Sequence, residues 1–97
     1  MVGCGMGGEM TEIVNDVVFA RAPIDAEGAR DLLMQLRTLR RLPDLLSVHQ
    51  QERAALFIAR FSALAATAPW QRFTFEVNPL KLGEQGVAAV DGLLIIE

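Results

Sequence analysis

Apolar residues recur along this chain with two different periods. Between Asp25 and Pro43 they are spaced three and four residues apart, which is typical of one face of an α-helix. The members of this stripe are Ala29, Leu32, Leu33, Leu36 and Leu39. From Gln71 onward the period falls to two, because Phe73, Phe75 and Val77 alternate with polar residues. This change predicts helices in the middle of the chain and β-strands near its end.

Local signals set the ends of two predicted helices. Asp25 is a favourable N-cap for the first helix, which must end before Pro43 because proline restricts the residue that precedes it. Ser47 and Gln50 have the spacing of a capping box, which predicts the start of a second helix that ends before Pro69. Asp44 is an alternative start for this second helix.

Strands are predicted on both sides of the helices. Residues 9–22 are predicted to form two short strands joined by a turn at Asn15 and Asp16, since both residue types tolerate positive φ. Residues 83–86 form a predicted turn, followed by a strand over residues 87–96. The order strand–strand, helix–helix, strand–strand predicts an α+β fold, in which two helices pack on one face of a mostly antiparallel sheet. Residues 1–97 are expected to form a single domain.

Composition excludes several classes of protein. The 97 residues carry a net charge of -3, with a sequence pI near 5.1, which argues against nucleic acid as a partner. One cysteine cannot form an internal disulfide framework. No apolar run is long enough to span a bilayer and no signal peptide is recognisable, so we expect a cytoplasmic protein without a membrane partner. The mean hydropathy of +0.29 predicts contact with a larger assembly or with a second copy in a homodimer.

The predicted C-terminal hairpin brings three oxygen-bearing side chains together. A symmetric turn places Leu82 opposite Val87, and counting back along the ladder places Asn78 opposite Asp91. Directly opposed residues share a face of the sheet, and Glu76 lies on that same face because side chains alternate. Carboxylate and amide oxygens suit a hard divalent ion such as Mg²⁺. The alternative is a solvated sheet face without a ligand, and a register slip of one residue would send Asp91 to the other side.

Other candidate signals favour structural roles. Residues 3–8 match G-x-G-x-x-G, but the dinucleotide-binding motif needs a preceding strand and a following helix. We therefore predict close approach of the backbone to a nucleotide or a neighbouring strand at these glycines. His49 is predicted to be a surface histidine and Cys4 a buried thiol. The side chains of Arg37, Arg40 and Arg41 are predicted to lie on a solvated helix face.

Two groups of residues carry a resemblance to a known family. The first is Phe-Glu-Val-Asn-Pro-Leu at residues 75–80, followed by a turn and Val-Ala-Ala-Val-Asp-Gly at residues 87–92. The second is Gly-Met-Gly-Gly at residues 5–8, with Asp-Val-Val-Phe at 16–19 and Ala-Pro-Ile at 22–24. In order and spacing they resemble the end of the ATP-grasp domain of nucleoside-diphosphate-forming acyl-CoA synthetases, such as succinyl-CoA synthetase β subunits and ADP-forming acetyl-CoA synthetases. The resemblance covers nearly the whole chain, but only the C-terminal portion of an ATP-grasp domain.

The resemblance implies a role for each matching residue. It implies that Asn78 and Asp91 hold the Mg²⁺ of ATP or ADP, and that Glu76 is catalytic beside the transferred phosphoryl group. It also implies that Gly7 and Gly8 bind the nucleotide. In the family, the phosphoryl group passes to a histidine supplied elsewhere and then to an acyl group that coenzyme A captures.

The chain also departs from the family pattern. Residues 45–50 stand where the family has a glycine-arginine-glycine element. No segment corresponds to the nucleotide-holding lysine, the adenine hinge or the coenzyme A domain. We therefore expect a Mg-nucleotide-binding portion of an acyl-CoA synthetase that is inactive alone, with the remaining ATP-grasp and CoA-binding domains or subunits as partners. The alternative is a non-catalytic interaction or dimerisation module that retains the fold, and enzymatic activity of this chain is left open.

Overall fold

The computed structural model describes residues 1–6, 16–77, 80–83, 86–89 and 92–96. Within these ranges the helices are α1 (Ala26–Leu33), α2 (Arg37–Arg41) and α3 (Val48–Ala66). The strands are β1 (Val2–Gly5), β2 (Val17–Ala20), β3 (Phe73–Val77), β4 (Leu80–Leu82), β5 (Val87–Ala89) and β6 (Gly92–Ile96). The predicted α+β class is confirmed. The described strands form three antiparallel pairs, β1–β2, β3–β6 and β4–β5.

The first strand pair differs from the prediction. The strands are β1 and β2, which pair from Val2 opposite Ala20 to Gly5 opposite Val17. A strand therefore lies within the glycine-rich start of the chain, where none was predicted, and it pairs with β2. Asn15 lies outside the described residues. Asp16, the other residue of the predicted turn, is buried, and its carboxylate accepts hydrogen bonds from the backbone of α2.

The predicted first helix is interrupted. Asp25 caps α1 as expected, since its side chain accepts a hydrogen bond of 2.7 Å from the Gly28 N–H. After Leu33 the chain forms turns, and α2 begins at Arg37. Leu36 precedes α2 but supplies no capping side chain; the distant Asp16 takes that role. The predicted apolar stripe is nevertheless buried on both sides of the break.

Helix α3 begins at the capping box predicted from the sequence. The Ser47 Oγ accepts from the Gln50 N–H, while the Gln50 Oε1 accepts from the Ser47 N–H, so this start is confirmed in place of Asp44. Near the other end, Ser62 is fully buried and its Oγ accepts a hydrogen bond of 3.0 Å from the Ile24 N–H. The helix is thereby joined to the segment that leads into α1.

The core lies between the helices and one side of the strands. Its buried members are Val2, Ala29, Leu33, Leu36, Leu39, Ala54, Ala55 and Ile58. Strand β3 joins this layer through Phe75, whose ring stacks on Phe61 of α3 with a centroid separation of 4.9 Å. Alternation along β3 is as predicted, with Phe73, Phe75 and Val77 half-buried and the residues between them exposed. His49 and the predicted arginine face are exposed, as expected.

Candidate functional site

Residues of the β1–β2 pair, strand β3 and helix α3 line a cleft of about 480 Å³. They include Gly3 and Gly5 of β1, Glu76 of β3, and Phe57 and Phe61 of α3. The segments that carry the resemblance, one at each end of the chain, therefore line one cavity. Most of the lining is apolar, and among the residues that the structure describes its acidic members are Asp16 and Glu76.

Glu76 lies on the open face of the β3–β6 pair. It stands opposite Leu93 in the ladder and is exposed, whereas its neighbours Phe75 and Val77 are half-buried on the helix side. The prediction that Glu76 faces away from the core is confirmed. Glu76 is also among the residues that line the cleft.

The hairpin keeps one register along all of its described length. Leu82 lies opposite Val87 and Leu80 opposite Ala89, as the symmetric turn predicted, and the turn is closed by a hydrogen bond of 2.8 Å from the Gly83 N–H to the Gly86 carbonyl oxygen. On the far side of residues 78–79 and 90–91 the pairing resumes with Val77 opposite Gly92. Two residues of sequence separate the described pairs on each side, which is the spacing that the predicted register requires. Asn78 and Asp91 themselves lie outside the described residues.

The glycines of β1 permit close approach of strand β2. A methyl group on Gly5 would lie 3.0 Å from the backbone carbonyl oxygen of Asp16, and one on Gly3 would lie 2.8 Å from the ring of Phe19. At Gly3 and Gly5, the predicted close approach of the backbone is therefore to a neighbouring strand. Because Gly3 and Gly5 belong to a strand, they do not form the tight strand-to-helix turn of a dinucleotide motif. Gly7 and Gly8 lie outside the described residues.

Asp16 is a buried acid whose role the sequence analysis missed. Its two carboxylate oxygens accept hydrogen bonds of 2.9 Å and 2.8 Å from the backbone N–H groups of Arg37 and Thr38. The Thr38 N–H contributes most to holding the pKa of the Asp16 carboxyl below its ordinary value, and Arg37 lowers it further. In the sequence, the one sign of this contact is that Leu36, the residue before α2, has no side chain that can cap a helix.

The thiol of Cys4 also lines the cleft. Burial, with a smaller contribution from the Asp16 carboxylate, raises its pKa to about 11. The thiol is therefore protonated at neutral pH, which suits packing and not nucleophilic chemistry. This agrees with the predicted structural role, although the side chain is only half-buried.

Within the ranges that the structure describes, no group of three or more histidine, cysteine, aspartate or glutamate side chains is arranged to hold a metal. The predicted magnesium site consists of two acids and one amide, and two of these residues lie outside those ranges. It remains a prediction. The described helices include none with the length and apolar content required to cross a membrane.

Comparison with known proteins gives consistent matches over nearly the whole chain. A family profile described as the ATP-grasp domain matches residues 1–96. The chain is 30% identical over 98 residues to acetate–CoA ligase (ADP-forming) I of Archaeoglobus fulgidus, and the aligned region covers 99% of this chain and 14% of that protein.

A solved structure has the same fold. Acetyl-coenzyme A synthetase 1 of Ca. Korarchaeum cryptofilum matches with a TM-score of 0.70 at 19% identity, over 98% of this chain and 45% of that one. That structure is of a complex with coenzyme A and Mg-AMPPCP, with the phosphohistidine segment pointing towards the nucleotide binding site. The present chain thus spans about one seventh of the curated relative and less than half of the solved chain.

Proposed function

Because the chain belongs to the ATP-grasp family, we propose that it is the Mg-nucleotide-binding portion of an ADP-forming acyl-CoA synthetase. Such an enzyme joins a carboxylic acid to coenzyme A and converts ATP to ADP and phosphate. One observation carries the proposal: the glycine strand β1 and the Glu76 strand β3, which are far apart in sequence, line one cleft. A nucleotide in that cleft would contact both.

The carboxylate and amide oxygens of the hairpin side chains are suitable ligands for magnesium. Glu76 is exposed at the cleft, and the described register on both sides is the one that Asn78 and Asp91 require in order to face each other. We assign Asn78 and Asp91 as the metal ligands, because an amide and a carboxylate oxygen suit Mg²⁺ that also binds phosphates and water. The bound ion would offset phosphate charge during phosphoryl transfer.

Two further assignments concern the phosphates. Glu76 is proposed to lie beside the transferred phosphoryl group, where its carboxylate can orient the metal–phosphate complex. Gly3 and Gly5 line the cleft, and in the sequence Gly7 and Gly8 are two and three residues beyond Gly5, the end of β1. Their lack of a Cβ would let backbone N–H groups approach phosphate oxygens.

The proposed partners are the remaining ATP-grasp and CoA-binding domains or subunits. Residues 1–97 would be the C-terminal portion of the ATP-grasp domain, and the chain alone would be inactive. The chain covers 14% of the curated relative and 45% of the solved chain, which supports further domains as partners. The base-binding and acyl-binding groups would come from those other parts.

A non-catalytic interaction or dimerisation module is the second candidate. One observation favours it: strand β6 exposes Leu93, Leu94, Ile95 and Ile96 to between 43% and 52% of their surface. An apolar edge strand is a natural pairing surface. This candidate predicts an oligomer whose stability does not depend on Mg²⁺.

A titration with MgADP tests the first proposal. Amide signals of a ¹⁵N-labelled full chain should shift for Glu76, Val77 and Gly92, for the assigned residues Asn78 and Asp91, and for residues 5–8. Asp91→Ala should abolish the shifts. Asp44→Ala removes the same charge from an exposed loop residue and should leave them unchanged.

Two outcomes would contradict the assignment. Shifts confined to the arginine-bearing residues of α2 would place the nucleotide elsewhere. No shifts at millimolar MgADP would favour the interaction module. Light scattering on the same sample would then decide whether the chain is an oligomer.

A further inference from the structure

A second cavity, a groove of about 850 Å³, shares Gly3 and Glu76 with the cleft. The successive residues 72–76, which include most of β3, line this groove. Successive side chains of a strand point to opposite faces of a sheet, so a cavity lined by such a run lies along the edge of the strand. None of the described residues of β6, which pairs with the other edge of β3, lines the groove. The groove therefore follows the edge of β3 that is opposite to β6.

Strand β1 presents an edge to the same groove. Met1, Val2 and Gly3 line it in succession. Among the residues of β2, Phe19 alone lines it, and its ring lies beside Gly3, where an added methyl group would come within 2.8 Å of it. Within the described ranges β1 pairs with β2 and with no other strand, and β3 pairs with β6 and with no other strand. Two strand edges without a described partner strand therefore line one groove.

The lining of the groove has two chemical characters. Helix α3 contributes the apolar side chains of Phe61, Ala65 and Ala66. The open face of β3 contributes Arg72 and Glu76, which are exposed and of opposite charge. A strand that extended the sheet here would alternate between these two environments. It would carry apolar residues at every second position, with polar residues of no particular sign of charge between them.

We propose that the groove binds one extended β-strand from the remaining portion of the ATP-grasp enzyme. Backbone N–H and C=O groups of β1 and β3 would pair with this strand, as in β-strand addition, and its apolar side chains would pack on α3. Natural proteins protect an unpaired strand edge with charged residues, proline or a covering element. Strand β1, with the sequence Val-Gly-Cys-Gly, has neither a charged residue nor a proline, which favours a covering element.

The source of the strand rests on the proposed function, which makes this chain one part of a larger enzyme. In the solved structure with the same fold, the match covers 45% of the chain, so more than half of that chain lies outside the match and includes segments that could supply a strand. Strand β3 has five residues, and at about 3.3 Å per residue it can pair with a segment about 16 Å long. A short peptide can therefore replace the strand in an experiment.

Hydrogen exchange on the full chain tests strand addition. The probe is the peptide Lys-Thr-Val-Thr-Val-Thr-Val-Lys with blocked ends, and the control peptide has proline in place of the second valine, which removes one N–H donor. At ten times its Kd, the probe should slow exchange roughly 10-fold at every second amide of β1 and β3, those that face the groove. The amides that face β2 and β6 should change much less, and the proline peptide should have little effect.

A pair of variants tests the position of the bound peptide. Ala66→Phe fills the groove and should raise the Kd of the probe at least 10-fold. Ala63→Phe makes the same change at an exposed position of α3 outside the groove and should leave that Kd unchanged. Circular dichroism establishes that both variants are folded. Equal Kd values in the two variants would overturn the assignment of the peptide to this groove.

The outcomes separate this inference from the proposed function. No slowing of exchange at millimolar probe, or equal slowing by the proline peptide, would overturn strand addition even if MgADP binds. Light scattering that shows a dimer, which the probe dissociates, would assign the groove to a second copy of the chain and overturn the source proposed here. Probe binding by a chain that does not bind MgADP would overturn the proposed function and the source of the strand, and would support the groove as a strand-binding site.

Discussion

The carboxylate of Asp16 accepts a hydrogen bond of 2.8 Å from the backbone N–H of Thr38. Its other oxygen accepts one of 2.9 Å from the Arg37 N–H, and the Asp16 carbonyl oxygen accepts from the Met6 N–H at 3.0 Å. A single residue thus connects the end of the β1–β2 ladder to the start of α2. This connection explains why the predicted single helix is broken. The first backbone N–H groups of α2 donate to the Asp16 carboxylate, so α2 can begin as a separate helix.

Asp16→Asn should lower the Tm at pH 7. Asparagine keeps one oxygen but replaces the other with an N–H donor that faces a backbone donor. The folded-state pKa of Asp16 is depressed below its ordinary value of 3.8, so the ionised form stabilises the fold. The Tm difference between the two proteins should be complete above pH 3.8 and disappear as the pH falls through the folded-state pKa.

Thermal unfolding followed by circular dichroism between pH 7 and low pH measures this difference. Asp44→Asn, at an exposed loop position, is the matched control and should track the unaltered protein. A Tm difference that grows on acidification would contradict the assigned role of Asp16.

Ser62→Ala should destabilise the protein by about 1–2 kcal/mol. Its fully buried Oγ accepts from the Ile24 N–H, and it lies 2.9 Å from the Ala59 carbonyl oxygen, to which it can donate. Alanine leaves the Ile24 N–H without that acceptor.

Urea denaturation measures the free energy of unfolding. Thr67→Ala removes a hydroxyl bonded to the Leu64 carbonyl oxygen at an exposed position and should cost less than about 0.5 kcal/mol. Equal losses of unfolding free energy in the two variants would contradict a stabilising role for the buried Ser62 hydrogen bonds.

Gly5→Ala should destabilise the protein more than Gly3→Ala. The added methyl at Gly5 meets the Asp16 backbone carbonyl oxygen at 3.0 Å, and relief requires strand β2 to move. At Gly3 it meets the ring of Phe19, which is 61% exposed and can rotate away. We expect a loss of roughly 1–3 kcal/mol at Gly5 and little change at Gly3. Denaturant titration of both variants measures this order, and its reversal would contradict the β1–β2 register.

Signals local to a few residues allowed correct prediction of much of this fold. The caps at Asp25 and Ser47 each depend on chemistry within four residues and are confirmed, and Gly83 and Gly86, the ends of the predicted turn, are joined by a hydrogen bond. The hairpin register follows from that turn, and the outward placement of Glu76 follows from alternation along its strand.

Long-range contacts account for what the sequence analysis missed. The break before α2 depends on Asp16, which is 21 residues away from Arg37. The Gln50 Nε2 donates a hydrogen bond to the Leu82 carbonyl oxygen, 32 residues away, and the pairing of β1 with β2 was not predicted. Such partners are determined by the packed fold, and no local pattern specifies them.

Cys4 should react slowly with thiol reagents in the folded protein. Burial and the nearby Asp16 carboxylate raise its pKa from 9.0 to about 11, so the thiolate fraction at pH 8 falls roughly 100-fold. The rate of iodoacetamide alkylation at pH 8, followed by mass spectrometry, should therefore be lower by about that factor than in urea-unfolded chain. Asp16→Asn removes the smaller cause of the raised pKa and should increase the folded-state rate only modestly. Equal rates in folded and unfolded protein would contradict the placement of the thiol beside the core.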